Sequence, residues 1–550
     1  MATAPPFWPA GLPLVVKGLP PTLNATLRHS AKRRPGHVAL AFYGAEITYA
    51  TLLSRVEALA GFLQHRCGVA QGDRVLLDMQ NSPHFVIAYH AILRAGAVVV
   101  PVSPMSLPEE IAYFAADSGA RVALLGAELF DRFAPLLGTG LRYLILATYG
   151  DEVPDPAPFR LPQVVAARAH PMPPKGCFTW QAAIAEGLVP RPDVTTSGDL
   201  CVMPYTSGTT GRSKACMHSH AGTVFTAFAQ AAWYGFDDAS VVSGFMPLFH
   251  VAGMQVSMNG GIAAGITIVL MARWDPGLIV PLFLRYGVTL WSAAPTMVVD
   301  VLGASDFDPR AFARLRTLTG GGASMPAAVA EELERRWGLR FVEGYGLSET
   351  IAATHLNPPD RPKPQCLGIP IQQTESRIID PDTLAELPVG ETGEIIIAGP
   401  QIMRGYWQRP EADAEVFLHR DGKRFLRTGD LGYRDAEGYW FIVDRLKRMV
   451  NVSGNKVWPA ELEATLYRHP AIQECCVIAV PDARSGEAVK ALIVRRAGMA
   501  LTADDLRDWA RGLMAAYKVP KHVAFVDALP RSGTSKIDWR RLQDAERMKA

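Results

Sequence analysis

The sequence has no marked excess of either charge, because Lys and Arg together number 55 and Asp and Glu 53 in a chain of 550 residues. Proteins that bind nucleic acid through its phosphates need clustered positive charge, and a net charge of +2 provides no such surplus. Hydrophobic residues make up 49% of the chain, which is enough for a large core and too many for general disorder. The composition therefore predicts a large globular protein that does not bind nucleic acid.

Cysteine is scarce and shows no regular spacing. The seven cysteines include no C-x-x-C pair and no histidine–cysteine cluster with the spacing of a zinc site. This pattern argues against a disulfide framework and is typical of a reducing compartment. The amino-terminal residues also lack a basic segment followed by an apolar one, the pattern of a secretory signal. These absences predict a cytoplasmic protein.

An apolar run long enough to span a membrane is missing too. No charged residue lies between Asp238 and Arg273, but Pro247, His250 and several glycines interrupt that stretch. A spanning helix needs about 20 predominantly apolar residues in succession. The stretch is instead typical of a buried helix followed by a buried strand, so we expect no membrane span.

Helical and strand-like segments alternate from about residue 48 to residue 300. The helix-like segments Thr48–His65 and His84–Leu93 alternate with the strand-like segments Arg74–Leu77 and Ala97–Val102. This alternation is typical of βαβ units around a largely parallel sheet. The predicted fold class is therefore α/β, with a large amino-terminal domain of parallel-rich sheets and helices.

The later part of the chain has a different character. Residues 366–445 contain many short β-like runs separated by Gly and Asp turns, which predicts a compact β subdomain. Beyond it, a helix is expected to begin at Pro459, a strand covers Cys476–Val480, and an amphipathic helix covers Leu501–Ala516 with Thr502 at its N-cap. We therefore predict a large domain of residues 1–446 and a small α+β domain of residues 447–550.

The strongest local motif is a loop of hydroxyl groups, glycines and a lysine. It consists of Thr206, Ser207, Gly208, Thr209, Thr210, Gly211 and, three residues later, Lys214. Glycines let backbone N–H groups approach an anion, and hydroxyls and a lysine complete such a cradle. The spacing differs from that of the common P-loop. The motif favours phosphate binding, with an ordinary surface loop as the alternative.

Three further segments carry candidate groups. Gly320–Gly322 lets the backbone approach a flat ligand, and Ser324 is expected to cap the following helix. In the octet Glu343–Thr350, Tyr345 can stack on an aromatic ring and Glu349 can bind a hard cation. Asp430 follows a β-like run as an exposed carboxylate suited to ribose hydroxyls. Ordinary turns are the alternative for all three segments.

In their order and spacing these motifs resemble those of the adenylate-forming (AMP-binding) superfamily. The resemblance extends from about Thr22 to Leu542, and it includes Met246–His250, which is similar to the histidine motif beside the acyl pocket of fatty-acyl and coumarate-type CoA ligases. It implies an acid–thiol ligase that joins a carboxylic acid to ATP as acyl-AMP and then transfers the acyl group to coenzyme A, releasing AMP and pyrophosphate. The implied co-substrates and cofactor are ATP, coenzyme A and Mg²⁺.

The resemblance also implies a role for each matching residue. The implied catalytic residues are Lys536, His250, Ser348 and Glu349, of which Glu349 holds the metal. The implied ATP and AMP contacts are Thr206, Ser207, Gly208, Thr209, Thr210, Lys214, Gly322, Ala323, Glu343, Gly344, Tyr345, Asp430 and Arg445. Lys447 is the implied hinge between two orientations of the terminal domain, and Arg273, Ser453 and Gly454 are the implied coenzyme A contacts.

The acid itself is predicted from the segments that match the acyl pocket. These are Phe249–Gln255, Trp291–Thr296, Gly320–Gly322 and Gly344–Leu347, which are mostly apolar or small and contain no Arg or Lys. An apolar monocarboxylic acid is therefore expected, most simply a medium- to long-chain fatty acid. Trp291 leaves an aryl acid as the alternative, and the motifs also allow an acyl-AMP ligase that loads a carrier protein or a luciferase-like oxygenase. A homodimer is compatible with all of these expectations.

Overall fold

The computed structural model describes residues 7–167, 174–206, 212–304, 307–453, 455–482, 484–531 and 537–548. The chain divides into two compact units. Unit 1 consists of residues Met1–Ser376, Ile397–Leu426 and Glu437–Tyr439, and unit 2 consists of Arg377–Ile396, Arg427–Ala436 and Trp440–Ala550. The fold is of the α/β class predicted from the sequence.

Unit 1 contains two large sheets that are mostly parallel. The nine strands of the first sheet lie in the order Ile369–Pro370, Ala352–Leu356, Phe341–Leu347, Thr317–Gly321, Leu290–Ser292, Val241–Gly244, Thr267–Leu270, Val38–Phe42 and Ala45–Thr48. The seven of the second lie in the order His218–Ser219, Leu200–Val202, Val98–Pro101, Arg74–Asp78, Val122–Gly126, Tyr143–Ala147 and Cys177–Thr179. The carboxyl ends of parallel strands meet at one edge of a sheet, which is where ligands bind in such folds.

Helices cover these sheets and bury their apolar faces. The α-helices of unit 1 are Leu23–Arg33, Tyr49–His65, Pro83–Arg94, Pro108–Ser118, Phe130–Phe133, Gln163–Ala166, Trp180–Ala185, His220–Trp233, Gly260–Ala264, Ile279–Tyr286, Pro295–Leu302, Ala327–Trp337 and Pro410–Val416. The helix predicted from residue 48 begins after Thr48, whose hydroxyl caps the backbone N–H of Thr51 at 3.2 Å. The helix predicted near His84 is Pro83–Arg94, and almost all of its residues are buried.

The uncharged stretch before Arg273 is a buried helix followed by a buried strand, as the sequence predicted. Residues Gly253–Asn259 form a π-helical segment that continues into Gly260–Ala264, and the strand Thr267–Leu270 follows. Within the described residues, no helix combines the length and the hydropathy needed to cross a bilayer. All seven cysteines are buried and free of disulfides.

Unit 2 contains the five-stranded sheet of the carboxy-terminal region. Its strands are Val450–Val452, Asn455–Val457, Ile472–Asp482, Gly486–Arg495 and His522–Phe525, and its helices are Pro459–Leu466, Ala503–Arg511 and Trp539–Arg547. Thr502 is the N-cap predicted from the sequence and forms a capping box with Asp505. The helix ends earlier than predicted, at Arg511, because Gly512 is a poor helix former.

The chain between residues 375 and 445 is rich in strands, as predicted. The strands are Glu375–Ile379, Gly393–Ala398, Phe417–Arg420, Lys423–Arg434 and Trp440–Arg445. Within unit 1, Phe417 pairs with Leu426, and within unit 2, Asp430 pairs with Arg445 and Arg434 with Trp440. Both pairings are antiparallel, as expected for strands joined by tight turns.

Candidate active site

Both ends of the hydroxyl-rich loop are fixed by a short antiparallel ladder. Thr206 lies opposite Lys214, and Tyr205 lies opposite Ala215. Ser207, Gly208, Thr209 and Thr210 lie outside the described residues. The ladder places Thr206 and Lys214 side by side at the base of the loop.

The helix Pro108–Ser118 holds this ladder from one side. The Tyr113 hydroxyl donates to the carbonyl oxygen of Ser213 at 2.7 Å, and the Tyr205 hydroxyl donates to Asp117 Oδ2 at 2.8 Å. Tyr113 and Asp117 are four residues apart and therefore lie on the same face of the helix. One helix face thus contacts the chain on both sides of the loop.

Glu349 lies in a 3₁₀ turn, Ser348–Thr350, that follows a strand of the first sheet. Its Oε1 accepts a hydrogen bond from the Tyr406 hydroxyl at 2.8 Å. The carbonyl oxygen of the neighbouring Ser348 accepts from His218 Nε2 at 2.7 Å, and burial lowers the pKa of His218 to about 4. His218 is therefore neutral at pH 7 and donates through its Nε2–H.

Tyr406 is a residue of this site that the sequence did not indicate. Its ring centre lies 5.1 Å from Lys214 Nζ, within the range of a cation–π contact. Its hydroxyl contacts Glu349, which is 57 residues away in the chain. No local pattern distinguishes Tyr406 from other aromatic residues, because both partners are brought to it by the tertiary fold.

The glycine-rich segment allows two parallel strands to come close together. Gly320 pairs with Glu343 and Gly321 with Gly344, and a Cβ on Gly321 would lie only 2.3 Å from the Gly344 carbonyl oxygen. Gly322 follows with φ +82°, a conformation that favours glycine, and Ala323 is exposed beside it. The backbone is thus exposed at Gly322 and Ala323, where a flat ligand was predicted to bind.

The expectation that Ser324 caps the next helix is wrong. That helix is Ala327–Trp337, and its N-cap position is held by Pro326 without a side-chain hydrogen bond. Proline fixes φ and has no N–H, so the chain enters the helix only after it. Ser324 is exposed and lies before this position.

The octet Glu343–Thr350 forms the end of a strand and a 3₁₀ turn rather than an isolated turn. Tyr345 is 8% exposed and lies 5.7 Å from the ring of His355. Glu343 is buried and accepts a hydrogen bond from the Gln365 N–H at 2.9 Å. Burial raises the pKa of Glu343 to about 7.

The segments expected around the acid lie at neighbouring strand ends. The strands that end at Gly244, Ser292, Gly321 and Leu347 are adjacent and parallel in the first sheet. Just beyond the first of them, His250 is partly buried, and its Nδ1 accepts from the Ala252 N–H at 3.2 Å. Arg273 is exposed, after the strand Thr267–Leu270.

Trp291 belongs to a buried aromatic cluster. Its ring centre lies 5.8 Å from that of Phe283, 5.9 Å from Phe312 and 6.3 Å from Trp274. The side chain is fully buried. Three aromatic neighbours therefore already surround the Trp291 ring, which the sequence analysis considered as a cap for an aryl acid.

In unit 2, Asp430 and Arg445 face each other across two paired strands. Arg445 Nε lies 2.9 Å from Asp430 Oδ1. The expectation of an exposed carboxylate is wrong, because Asp430 lies inside the strand Lys423–Arg434 and is fully buried. The strand pairing covers Asp430 and brings the arginine to it.

The predicted hinge lies in a 3₁₀ turn, Leu446–Arg448, in which Lys447 is exposed. The Arg448 side chain is mostly buried and contacts Glu463, and it lies 3.9 Å from Asp444. Ser453 is exposed with φ +52°, and its N–H donates to the Ser485 carbonyl at 2.9 Å. Gly454 and Lys536 lie outside the described residues.

The donors around Glu349 fit a magnesium ion that is held together with phosphates. Mg²⁺ is usually bound by one or two carboxylates plus substrate phosphates rather than by a protein cage. Glu349 offers such a carboxylate close to Lys214, since both contact Tyr406. Over the part of the chain that the structure describes, no group of three or more His, Cys, Asp or Glu side chains could form a cage.

Comparisons with known protein families match both parts of the chain. A family model described as AMP-binding enzyme matches residues 27–407, and a model described as AMP-binding enzyme C-terminal domain matches residues 461–536. These two matches together include every candidate residue of the site except Asp430, Arg445, Lys447, Ser453 and Gly454.

Individual relatives are similar over almost the whole chain. A long-chain-fatty-acid–CoA ligase of Bacillus subtilis (strain 168) is 34% identical over 99% of this chain and 98% of its own length. A feruloyl-CoA synthase of an Amycolatopsis species is 35% identical over 92% of this chain and 95% of its own. Among solved structures, ATP-bound MatB from Rhodopseudomonas palustris has a TM-score of 0.82 at 28% identity, covering 95% of this chain and 99% of its own.

Proposed function

We propose that this chain activates a medium- to long-chain fatty acid. It belongs to the family of AMP-binding enzymes and is an AMP-forming acid–CoA ligase. The ligase joins the acid to ATP as acyl-AMP and then forms the coenzyme A thioester. One observation carries the choice of acid. The apolar segments at adjacent strand ends of the first sheet contain no Arg or Lys.

The acid is proposed to enter beside His250 and to extend between the strand ends at Ser292, Gly321 and Leu347. A fatty acid has one carboxylate and an apolar tail, so it needs no second cation in this space. The enclosure of Trp291 by Phe283, Phe312 and Trp274 favours a fatty acid over an aryl acid stacked on that ring. The relative named long-chain-fatty-acid–CoA ligase supports the same choice.

The ATP triphosphate is proposed to bind at the ladder that holds Lys214. Phosphate charge needs positioned cations and donors, which the loop Thr206–Thr210 and Lys214 would supply. Glu349 would hold Mg²⁺, which neutralises charge on the phosphate oxygens, and Ser348 would contact the α-phosphate. The remaining nucleotide contacts are proposed to be Gly322, Ala323, Glu343, Gly344 and Tyr345 for adenine, with Asp430 and Arg445 for ribose.

The second half-reaction is proposed to require a rotation of the terminal domain about Lys447. In one orientation Lys536 would contact the acid carboxylate and the α-phosphate, and in the other the Ser453–Gly454 loop would face the coenzyme A thiol. Arg273 would contact the coenzyme A nucleotide. A cytoplasmic location and a homodimer remain part of the proposal, and sedimentation of the purified protein tests the latter.

A panel of acids tests the proposed substrate. Purified protein is incubated with ATP, Mg²⁺ and coenzyme A, and AMP and pyrophosphate release are followed for saturated fatty acids of increasing length and for ferulate and benzoate. We expect the highest kcat/KM for a medium- or long-chain fatty acid. A higher value for ferulate would replace the proposal by an aryl-acid ligase, as in the feruloyl-CoA synthase relative. Pyrophosphate release without a coenzyme A thioester would point to a carrier protein as the acceptor.

A further inference from the structure

Tyr406 lies between the two charged side chains that the proposed function assigns to the triphosphate and its metal. Its hydroxyl donates to Glu349 Oε1 at 2.8 Å, and its ring centre lies 5.1 Å from Lys214 Nζ. The side chain is 7% exposed. One buried ring therefore contacts an anion through its edge and a cation through its face.

The backbone around Tyr406 is fixed to the same two places. The Met403 N–H donates to the Glu349 carbonyl oxygen at 2.9 Å, and the Trp407 N–H donates to the Ala215 carbonyl oxygen, also at 2.9 Å. The Tyr406 N–H in turn donates to Asp413 Oδ1 at 2.7 Å. The segment Met403–Trp407 is thus a bridge from the turn of Glu349 to the strand of Lys214.

A neutral aromatic ring is suited to hold two opposite charges apart. The neutral phenol of Tyr406 donates its hydroxyl hydrogen to the Glu349 carboxylate. A hydrogen bond and a cation–π contact orient the two groups without neutralising either of them. Direct pairing of Lys214 with Glu349 would instead compete with phosphate and metal for the same charges.

We propose that Tyr406 is a positioning residue for ATP binding, which keeps Lys214 directed at the phosphates and Glu349 directed at Mg²⁺. The inference rests on the proposed roles of Lys214 and Glu349 and adds the residue that sets their separation. Hydrogen-bond partners of metal-ligating carboxylates typically change metal affinity or activity by about 10–100-fold when removed.

Two substitutions separate the two contacts. Tyr406→Phe removes the hydroxyl and keeps the ring, so we expect the Mg²⁺ concentration for half-maximal adenylation to rise about 10-fold. ATP binding without Mg²⁺, measured by titration calorimetry, should stay unchanged in this variant. Tyr406→Leu also removes the ring, and it should weaken ATP binding without Mg²⁺ as well.

Tyr49→Phe is the matched control. It removes another buried tyrosine hydroxyl, which donates to the Ile266 carbonyl at 2.8 Å in the core of unit 1. This variant should lose some thermal stability and keep the Mg²⁺ dependence of the wild type. If Tyr406→Phe behaves like Tyr49→Phe, with lower stability and an unchanged Mg²⁺ requirement, Tyr406 is merely structural and the inference is overturned.

Lys214→Ala and Glu349→Gln show whether the inference or the proposed function fails. In one outcome, Lys214→Ala loses ATP binding and Glu349→Gln its Mg²⁺ dependence, while Tyr406→Phe has no effect. That result overturns the role of Tyr406 alone. Unchanged ATP and Mg²⁺ binding in Lys214→Ala and Glu349→Gln overturns the proposed triphosphate site itself. Calorimetry reports on binding directly, so both results can be read without a turnover assay.

Discussion

The two units bury acidic side chains in different ways. Among the described residues, the acidic side chains buried in unit 2 are Glu394, Asp430 and Asp444, and each lies within 4 Å of an arginine. Those buried in unit 1 are Asp78 and Glu343, and burial raises the pKa of Asp78 to about 8 and that of Glu343 to about 7. Unit 2 thus places an arginine beside each of its buried carboxylates, whereas burial in unit 1 favours the protonated, neutral form of the carboxyl.

This difference predicts different costs of substitution in the two units. A buried charge whose partner is removed stays buried and uncompensated, which is strongly destabilising. The contribution of an already neutral buried carboxyl to the free energy of unfolding depends on the pH instead. Unit 2 should therefore be sensitive to the loss of single arginines, and unit 1 to the pH of the solution.

The largest expected effect is in Arg448→Met, which breaks the pairing in unit 2. Arg448 contacts Glu463 and lies near Asp444, and its side chain is only 14% exposed. Leaving these two carboxylates without their arginine should lower the free energy of unfolding of unit 2 by about 3–5 kcal/mol. Trp539, whose ring centre lies 5.7 Å from the Arg448 guanidinium, provides a fluorescence signal for urea unfolding of this unit.

The double variant Arg448→Met with Glu463→Leu is the control for that prediction. It replaces the ion pair by apolar side chains, which is often nearly neutral for stability. It should therefore recover part of the stability lost in the single variant. Equal stability of the wild type and Arg448→Met would mean that pairing with arginine does not compensate buried charge in unit 2.

A smaller effect is expected from Asp430→Ala, which acts on the proposed ribose contact. Losing a charge-assisted hydrogen bond to ribose should weaken ATP binding by about 1.5–3 kcal/mol and leave the preference among acids unchanged. Titration calorimetry with ATP and the acid panel measure the two quantities separately. An altered acid profile at unchanged ATP affinity would mean that Asp430 acts on the acid and not on the nucleotide.

Much of the fold could be predicted because it follows from local patterns. Alternating apolar segments indicated the parallel sheets, and Thr48 and Thr502 indicated the starts of their helices. Hydroxyls and glycines before Lys214 favoured a loop, and Thr206 and Lys214 on either side of that segment pair in a short ladder. In each case the residues that determine the structure are neighbours in the chain.

The parts that were missed depend on residues that are far apart in the chain. Asp430 was expected to be exposed, because nothing next to it shows that the strand ending at Arg445 covers it. Tyr406 was not singled out, because Lys214 and Glu349 reach it only through tertiary packing. The failed cap at Ser324 has a local cause, since Pro326 delays the start of the helix.

The last expected effect concerns pH and the buried carboxyl of unit 1. Asp78 is 1% exposed, and within the described residues neither of its oxygens has a hydrogen-bond partner. Burial is the main cause of its raised pKa, the nearby Glu128 raises it further, and Arg132 lowers it. An aspartate in the unfolded chain has a pKa near 3.9. Between about pH 4 and pH 8 the folded state therefore holds a proton that the unfolded state has released.

Because the folded state binds the additional proton in this window, the contribution of Asp78 to stability falls as the pH rises, by about 1.4 kcal/mol per pH unit. Asp78→Asn has nearly the same shape and cannot titrate. The wild type should therefore lose unfolding free energy relative to Asp78→Asn as the pH is raised from 6 to 8, when both are measured by urea unfolding at each pH. Glu343 titrates in the same direction in both proteins, so the difference between them isolates Asp78. A constant difference across this range would show that Asp78 is already ionised at pH 6. Unit 1 would then hold a buried carboxylate in its charged form.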